Sequence, residues 1–168
     1  RIYGGLRFYE RLEIKNAIAY LKVIFNNSDN PSFERSISNP TRGVGEKTLA
    51  KIRNAAKQYN ISYIKASAKL IDEGSISGRG GSGLRDYLEF IAGCKSFIEE
   101  NLLSELMELI IKESGLYAYH AKEPGEKGKT RTENLEELIT ATKNFEQSIE
   151  EEISNIEIAE KYLDIISL

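Results

Sequence analysis

Cysteine and histidine are almost missing from this chain: Cys94 and His120 each stand alone. A single cysteine makes an internal disulfide impossible and fits a reducing cytosol. Together the two residues supply too few ligands for a Cys/His zinc site, so no metal is expected. No apolar run approaches the roughly 20 residues of a membrane span, and no secretory signal is visible. A membrane partner is therefore not expected. No convincing strand pair stands out beyond Arg1 to Tyr3, which could end a strand begun upstream. No carboxylates are spaced as an acid/base pair. Cys94 has no histidine near it in sequence, so a small buried hydrophobe is the better reading than a nucleophile. His120, beside Tyr117 and Tyr119, reads as a surface or boundary residue.

What is present is enough for a domain with a real core: 168 residues, 40% hydrophobic and 29% charged. The opening Arg-Ile-Tyr-Gly-Gly, without methionine, reads as a piece of a longer protein. The net charge is −3, but it is polarised. From Arg35 to Lys57 there are six bases and one acid, a net of +5. From Glu133 to Glu160 there are nine acids and one base, a net of −8. Such a chain can present one basic face while staying acidic overall. The blander alternative is that each run is a solvated helix face.

Apolar spacing predicts helices over Glu10–Phe25, Phe33–Ile37 (capped by Ser32), Glu46–Tyr59, Ser62–Ile71, Gly83–Glu100, Leu103–Ile111, Thr132–Phe145 and Ile156–Ile166. Lys122–Lys129, broken by Pro124, Gly125 and Gly128, reads as a charged loop. The fold class is all-α, a compact helical domain with helix–hairpin–helix-like elements.

The most informative stretch is Asn39-Pro-Thr-Arg-Gly-Val-Gly-Glu-Lys-Thr-Leu49. Gly43 and Gly45 flank Val44 just before the helix that opens at Glu46, a pattern suited to a tight turn with positive φ. Such a turn leaves backbone N–H groups bare at a helix start, a ready seat for a phosphate. Thr41, Arg42, Lys47, Thr48 and Lys51 surround it, so the expectation is a nucleic-acid backbone contact without sequence reading. A plain corner between two helices is the alternative. Gly78, Gly80 and Gly83 match G-x-G-x-x-G, but no strand precedes them, so a second hairpin offering N–H groups at Gly78 and Gly80 is expected rather than a dinucleotide site. Gly128-Lys129-Thr130 resembles the end of a Walker A loop, yet Glu123 occupies the place of its first glycine. The chain has no P-loop and no expected catalytic residue.

Three motifs together resemble one family. Tyr3, Gly4, Gly5, Phe8, Arg11, Glu13, Ile14 and Lys15 match Y-G-G-x-x-F-x-x-R-x-E-I-K-D, with Asn16 in place of the aspartate. Pro40, Arg42, Gly43, Val44, Gly45, Thr48 and Leu49 resemble P-x-R-G-I-G-x-x-T-L. Arg131, Glu133, Asn134, Leu135, Glu136 and Glu137 resemble R-x-E-N-L-E-E-L. Order and spacing agree with UvrD/PcrA/Rep-type superfamily 1 DNA helicases over essentially the whole chain. The resemblance implies that residues 1–16 close motor domain 2A and the hinge, and that residues 17–168 form the helical 2B subdomain. It further implies double-stranded DNA at a single-strand/duplex junction and the rest of the motor as partners. ATP and Mg would be cofactors of the parent 3′-to-5′ helicase of repair or replication, with none in this chain. The isolated chain is expected to hydrolyse nothing. A helical protein–protein adaptor without DNA contact is the alternative function.

Overall fold

The computed structural model describes residue 5 and residues 7–167. Tyr3, Gly4 and the strand end expected at Arg1 to Tyr3 lie outside the described residues. Among the described residues, a 3₁₀ turn at Phe8–Glu10 is followed by nine α-helices. They are α1 Leu12–Phe25, α2 Asn30–Ile37, α3 Glu46–Tyr59, α4 Tyr63–Asp72, α5 Gly78–Phe97, α6 Leu103–Glu113, α7 Leu116–Ala121, α8 Gly125–Ser148 and α9 Asn155–Ile166. No strand is present among the described residues, and the all-α class holds.

Helix α1 is the axis of the fold. Ile14, Ala17, Ile18, Tyr20, Leu21, Val23 and Ile24 are all buried, and a narrow strip at Lys15 and Lys22 faces outward. A helix of that kind belongs at the centre. It packs against α2, α5, α6 and α8. Helix α8 crosses α6 and α7, α9 closes over α6 and α8, and the α3–α4 pair joins through α4 to α2 and α5. Each fully buried aliphatic or aromatic side chain contributes about 1.5–3 kcal/mol.

Caps set several helix ends. Asp29 Oδ1 accepts from the Ser32 N–H at 3.1 Å, and Pro31 fills the first turn of α2. The helix therefore begins at Asn30, and Ser32, expected to be its cap, lies inside it. Ser62 Oγ accepts from Lys65 N–H at the start of α4. Ser154 and Glu157 form a reciprocal box at the start of α9. Asn60, at φ 52°, ends α3 in the left-handed region.

Three further expectations fail. Helix α5 begins at Gly78, not Gly83. The segment read as a charged loop is mostly the first turn of α8, which starts at Gly125. Gly128 fits there only because it lacks a Cβ, which would lie 2.2 Å from the Glu123 carbonyl oxygen. His120 is buried, 2% exposed, rather than at the surface. Cys94 is buried as expected, and burial pushes its thiol up to about 12.

Candidate nucleic-acid interface

The two glycine segments, distant in sequence, meet in space. A Cβ on Gly83 would lie 1.9 Å from the Arg42 carbonyl oxygen. One on Gly80 would lie 3.1 Å from Thr48 Oγ1 and 3.4 Å from the Gly43 carbonyl. One on Gly43, whose φ is +81°, would lie 2.9 Å from Arg79 Cγ. The first turns of α5 are thus seated directly on the 42–45 turn, an approach that only glycines permit. Val44 is buried and anchors the turn to the core, while Thr41, Gly43 and Gly45 stay exposed.

Neither helix start has a side-chain cap. Gly45 is the N-cap of α3 and Ser77 that of α5, and neither supplies a capping oxygen. The Leu49 N–H reaches Gly45 O at 3.0 Å and the Gly81 N–H reaches Ser77 O at 3.2 Å. The N–H groups of residues 46–48 and 78–80 precede these first bonds and are left for an outside acceptor. Two positive helix ends side by side favour an anion.

The basic side chains divide into free and committed ones. Lys47 and Arg79 are exposed and make no ion pair among the described residues. Lys51 Nζ donates to Ser75 O at 3.2 Å, tying α3 to the turn before α5. Arg53 bonds Glu34 and Glu46, which raise its pKa, Glu34 first. The net of +5 counted along the sequence therefore overstates the charge the surface presents.

Arg42 faces inward. Nη1 donates to Ser36 O and Ile37 O, both at 2.8 Å, and Nη2 donates to Tyr20 OH at 2.6 Å and Ser114 O at 3.4 Å. The guanidinium lies 5.3 Å from the Tyr87 ring centroid and 5.7 Å from that of Tyr20. Burial raises the Tyr20 pKa, and the neighbouring Arg42 opposes that rise. Arg42 is the strut of the turn. Arg79, which sequence reasoning passed over for its glycine neighbours, is the arginine on the surface. Its one sequence signal is its place between Gly78 and Gly80.

Gly5, Phe8, Arg11, Glu13, Lys15, Arg131, Glu133 and Asn134 were singled out by motif alone. Three of them converge. Asn134 Nδ2 donates to the buried Glu13 Oε2 at 2.7 Å, and Arg131 Nε stands 3.8 Å from Glu13 Oε1. Arg131 Nη1 also donates to Glu123 at 2.9 Å, and Glu123 bonds His120 Nδ1. His120 first, then Arg131, hold the Glu123 carboxyl below its ordinary value. This network joins the start of α1 to the α7–α8 joint. Gly5 O accepts from the Phe8 N–H at 3.0 Å and Phe8 is buried, whereas Arg11, Lys15 and Glu133 are exposed. Among the described residues no group of three or more His, Cys, Asp or Glu is placed to hold a metal ion, and no helix is long and apolar enough to cross a membrane.

Residues 1–78 match the UvrD-like helicase C-terminal domain. The chain is 41% identical over 152 residues to the DNA helicase II of Escherichia coli (strain K12), covering 90% of this chain and 21% of that protein. It is 44% identical over 145 residues to the DNA helicase II of Haemophilus influenzae, covering 86% and 20%. It is 32% identical over 150 residues to the ATP-dependent DNA helicase PcrA of Bacillus subtilis (strain 168), covering 89% and 20%. The chain spans about a fifth of the length of these curated relatives.

Proposed function

Because the chain belongs to the UvrD/PcrA-type superfamily 1 DNA helicases, we propose that it is the 2B subdomain of such a motor and grips duplex DNA by its backbone. Residues 1–16 are assigned to the end of motor domain 2A and the hinge, and residues 17–168 to 2B. Helix α1, Leu12–Phe25, runs unbroken across that proposed boundary. In the parent protein, ATP and Mg act in motor domains outside this chain. The grip holds the duplex at a single-strand/duplex junction and regulates 3′-to-5′ unwinding in repair or replication within the cytoplasm.

One observation carries this reading: two uncapped helix starts locked together by glycine contacts, with Lys47 and Arg79 exposed beside them. Paired N–H clusters and unpaired cations hold phosphates without reading bases. A part that must release at each step needs contacts of this weak, salt-sensitive kind. Thr41, Gly43, Gly45, Lys47, Thr48, Lys51, Gly78 and Gly80 form or frame the contact. Val44 and Arg42 hold it in place, and Arg79 takes the phosphate role the sequence suggested for Arg42.

The test is duplex binding by fluorescence anisotropy across a salt series. Log K should fall linearly with log salt, with a slope of about −2 to −4 at roughly −0.9 per phosphate neutralised. Arg79→Ala should flatten the slope by about one unit for every sequence. Affinity that ignores salt, or that follows one sequence, sinks the phosphate grip. No binding at any salt favours the adaptor.

A further inference from the structure

A cavity of about 350 Å³ opens between α1, the start of α2 and the end of α9, and shares no residue with the glycine turns. Its charged lining is wholly cationic: Lys15 and Lys22 from α1 and Arg35 from α2. None of the three makes an ion pair among the described residues. Lys22 also borders a second hollow with Asp29, Glu160 and Asp164, so Lys15 and Arg35 are the cations that serve this cavity alone. The Nε of Arg35 is shut off from solvent and has no hydrogen-bond partner. The rest of the wall is largely apolar, with Ile18, Pro31 and Ile166.

We propose that this cavity binds a phosphate ester, with the phosphoryl group on Arg35 and Lys15 and the organic part against the apolar wall. A buried N–H without an acceptor is a donor awaiting one. Turning the Arg35 guanidinium onto two phosphoryl oxygens would satisfy Nε–H and one Nη–H together, the pairing its planar fork favours. Cations on a concave wall of low dielectric concentrate potential, and with no carboxylate on the lining nothing cancels it. Two dedicated cations suit a dianion better than a single carboxylate. The volume lies at the lower end of the roughly 300–1,000 Å³ typical of small-molecule sites, enough for a nucleotide-sized ester in part.

The test is a titration of the ¹⁵N-labelled chain at constant ionic strength. Inorganic phosphate, thymidine 5′-monophosphate and chloride are compared by the Arg35 Nε–H resonance. Phosphate and the ester should shift it saturably, the ester more tightly, and chloride should not. Lys15→Gln, at an exposed position, should weaken both by about fivefold or more, the loss of one charge-assisted bond, with unchanged circular dichroism and melting. Arg79→Ala should leave both affinities as they are, which separates this site from the DNA grip. An equal shift with chloride, or unaltered affinity in folded Lys15→Gln, overturns the proposal. Saturable binding of phosphate without the ester overturns the ester and supports the anion site.

Discussion

Arg42 illustrates how one residue can brace a turn from inside the fold. Its four hydrogen bonds reach acceptors on or beside α1, α2 and α6. Arg42→Ala should therefore destabilise the fold by about 2–4 kcal/mol, because carbonyls and a hydroxyl lose their donor inside the protein. Urea denaturation checks this, and a loss below about 0.5 kcal/mol, the range of ordinary surface changes, would mean the strut carries little. The glycines split in the same way. Gly83→Ala drives a Cβ into the Arg42 carbonyl and should cost about 1–3 kcal/mol of stability or more. Gly45 has nothing within 4 Å of its would-be Cβ, so Gly45→Val should fold normally. Its valine should instead block backbone approach and weaken duplex binding by about 1–3 kcal/mol. Wild-type affinity in that variant would move the contact to the start of α5. The glycine pair was legible in the sequence. The inward turn of Arg42 was not, since it depends on Tyr20 and Ser114, which lie 22 and 72 residues away along the chain.

At the scale of elements, amphipathic spacing located most helices, and α3 spans its expected range from end to end. The two misplaced helix starts fell where glycine and proline cluster. Local propensity marks Gly78 to Gly83 and Pro124 to Gly128 as breaks, yet both open helices because tertiary contact overrides propensity. In each place a missing Cβ lets backbone meet backbone, which no local rule reveals. The α7–α8 joint also has a pH signature. Glu123 is held below its ordinary pKa of 4.5. Its contribution to stability is therefore complete above that value and is lost as pH falls through the lowered one. Glu123→Gln should flatten the acid limb of a stability–pH curve while sparing neutral-pH helicity. An unchanged acid limb would mean His120 and Arg131 do not stabilise the carboxylate.

For the whole molecule, the motifs that carried the family resemblance were legible because they are local strings. Their physical roles were not, since Glu13 meets Asn134 across 121 positions. The purified chain should show no DNA-stimulated ATP hydrolysis, as Gly128, Lys129 and Thr130 lie within α8 and cradle no phosphate loop. Measurable turnover would refute that. In a full-length parent protein, Arg79→Ala should impair unwinding and leave single-strand-stimulated ATP hydrolysis largely intact, because the proposed motor sites are elsewhere. If both fell together in a coupled assay, the grip and the motor would be one device. The Arg42 strut carries one more consequence. Through it the turn is pinned to Tyr20 on the central axis, to the end of α2 and to the α6–α7 corner. A tug at the turn cannot stretch a loop, because it is shared at once among three anchor points. Under the proposed grip, tension at the turn would swing this bundle as a rigid lever.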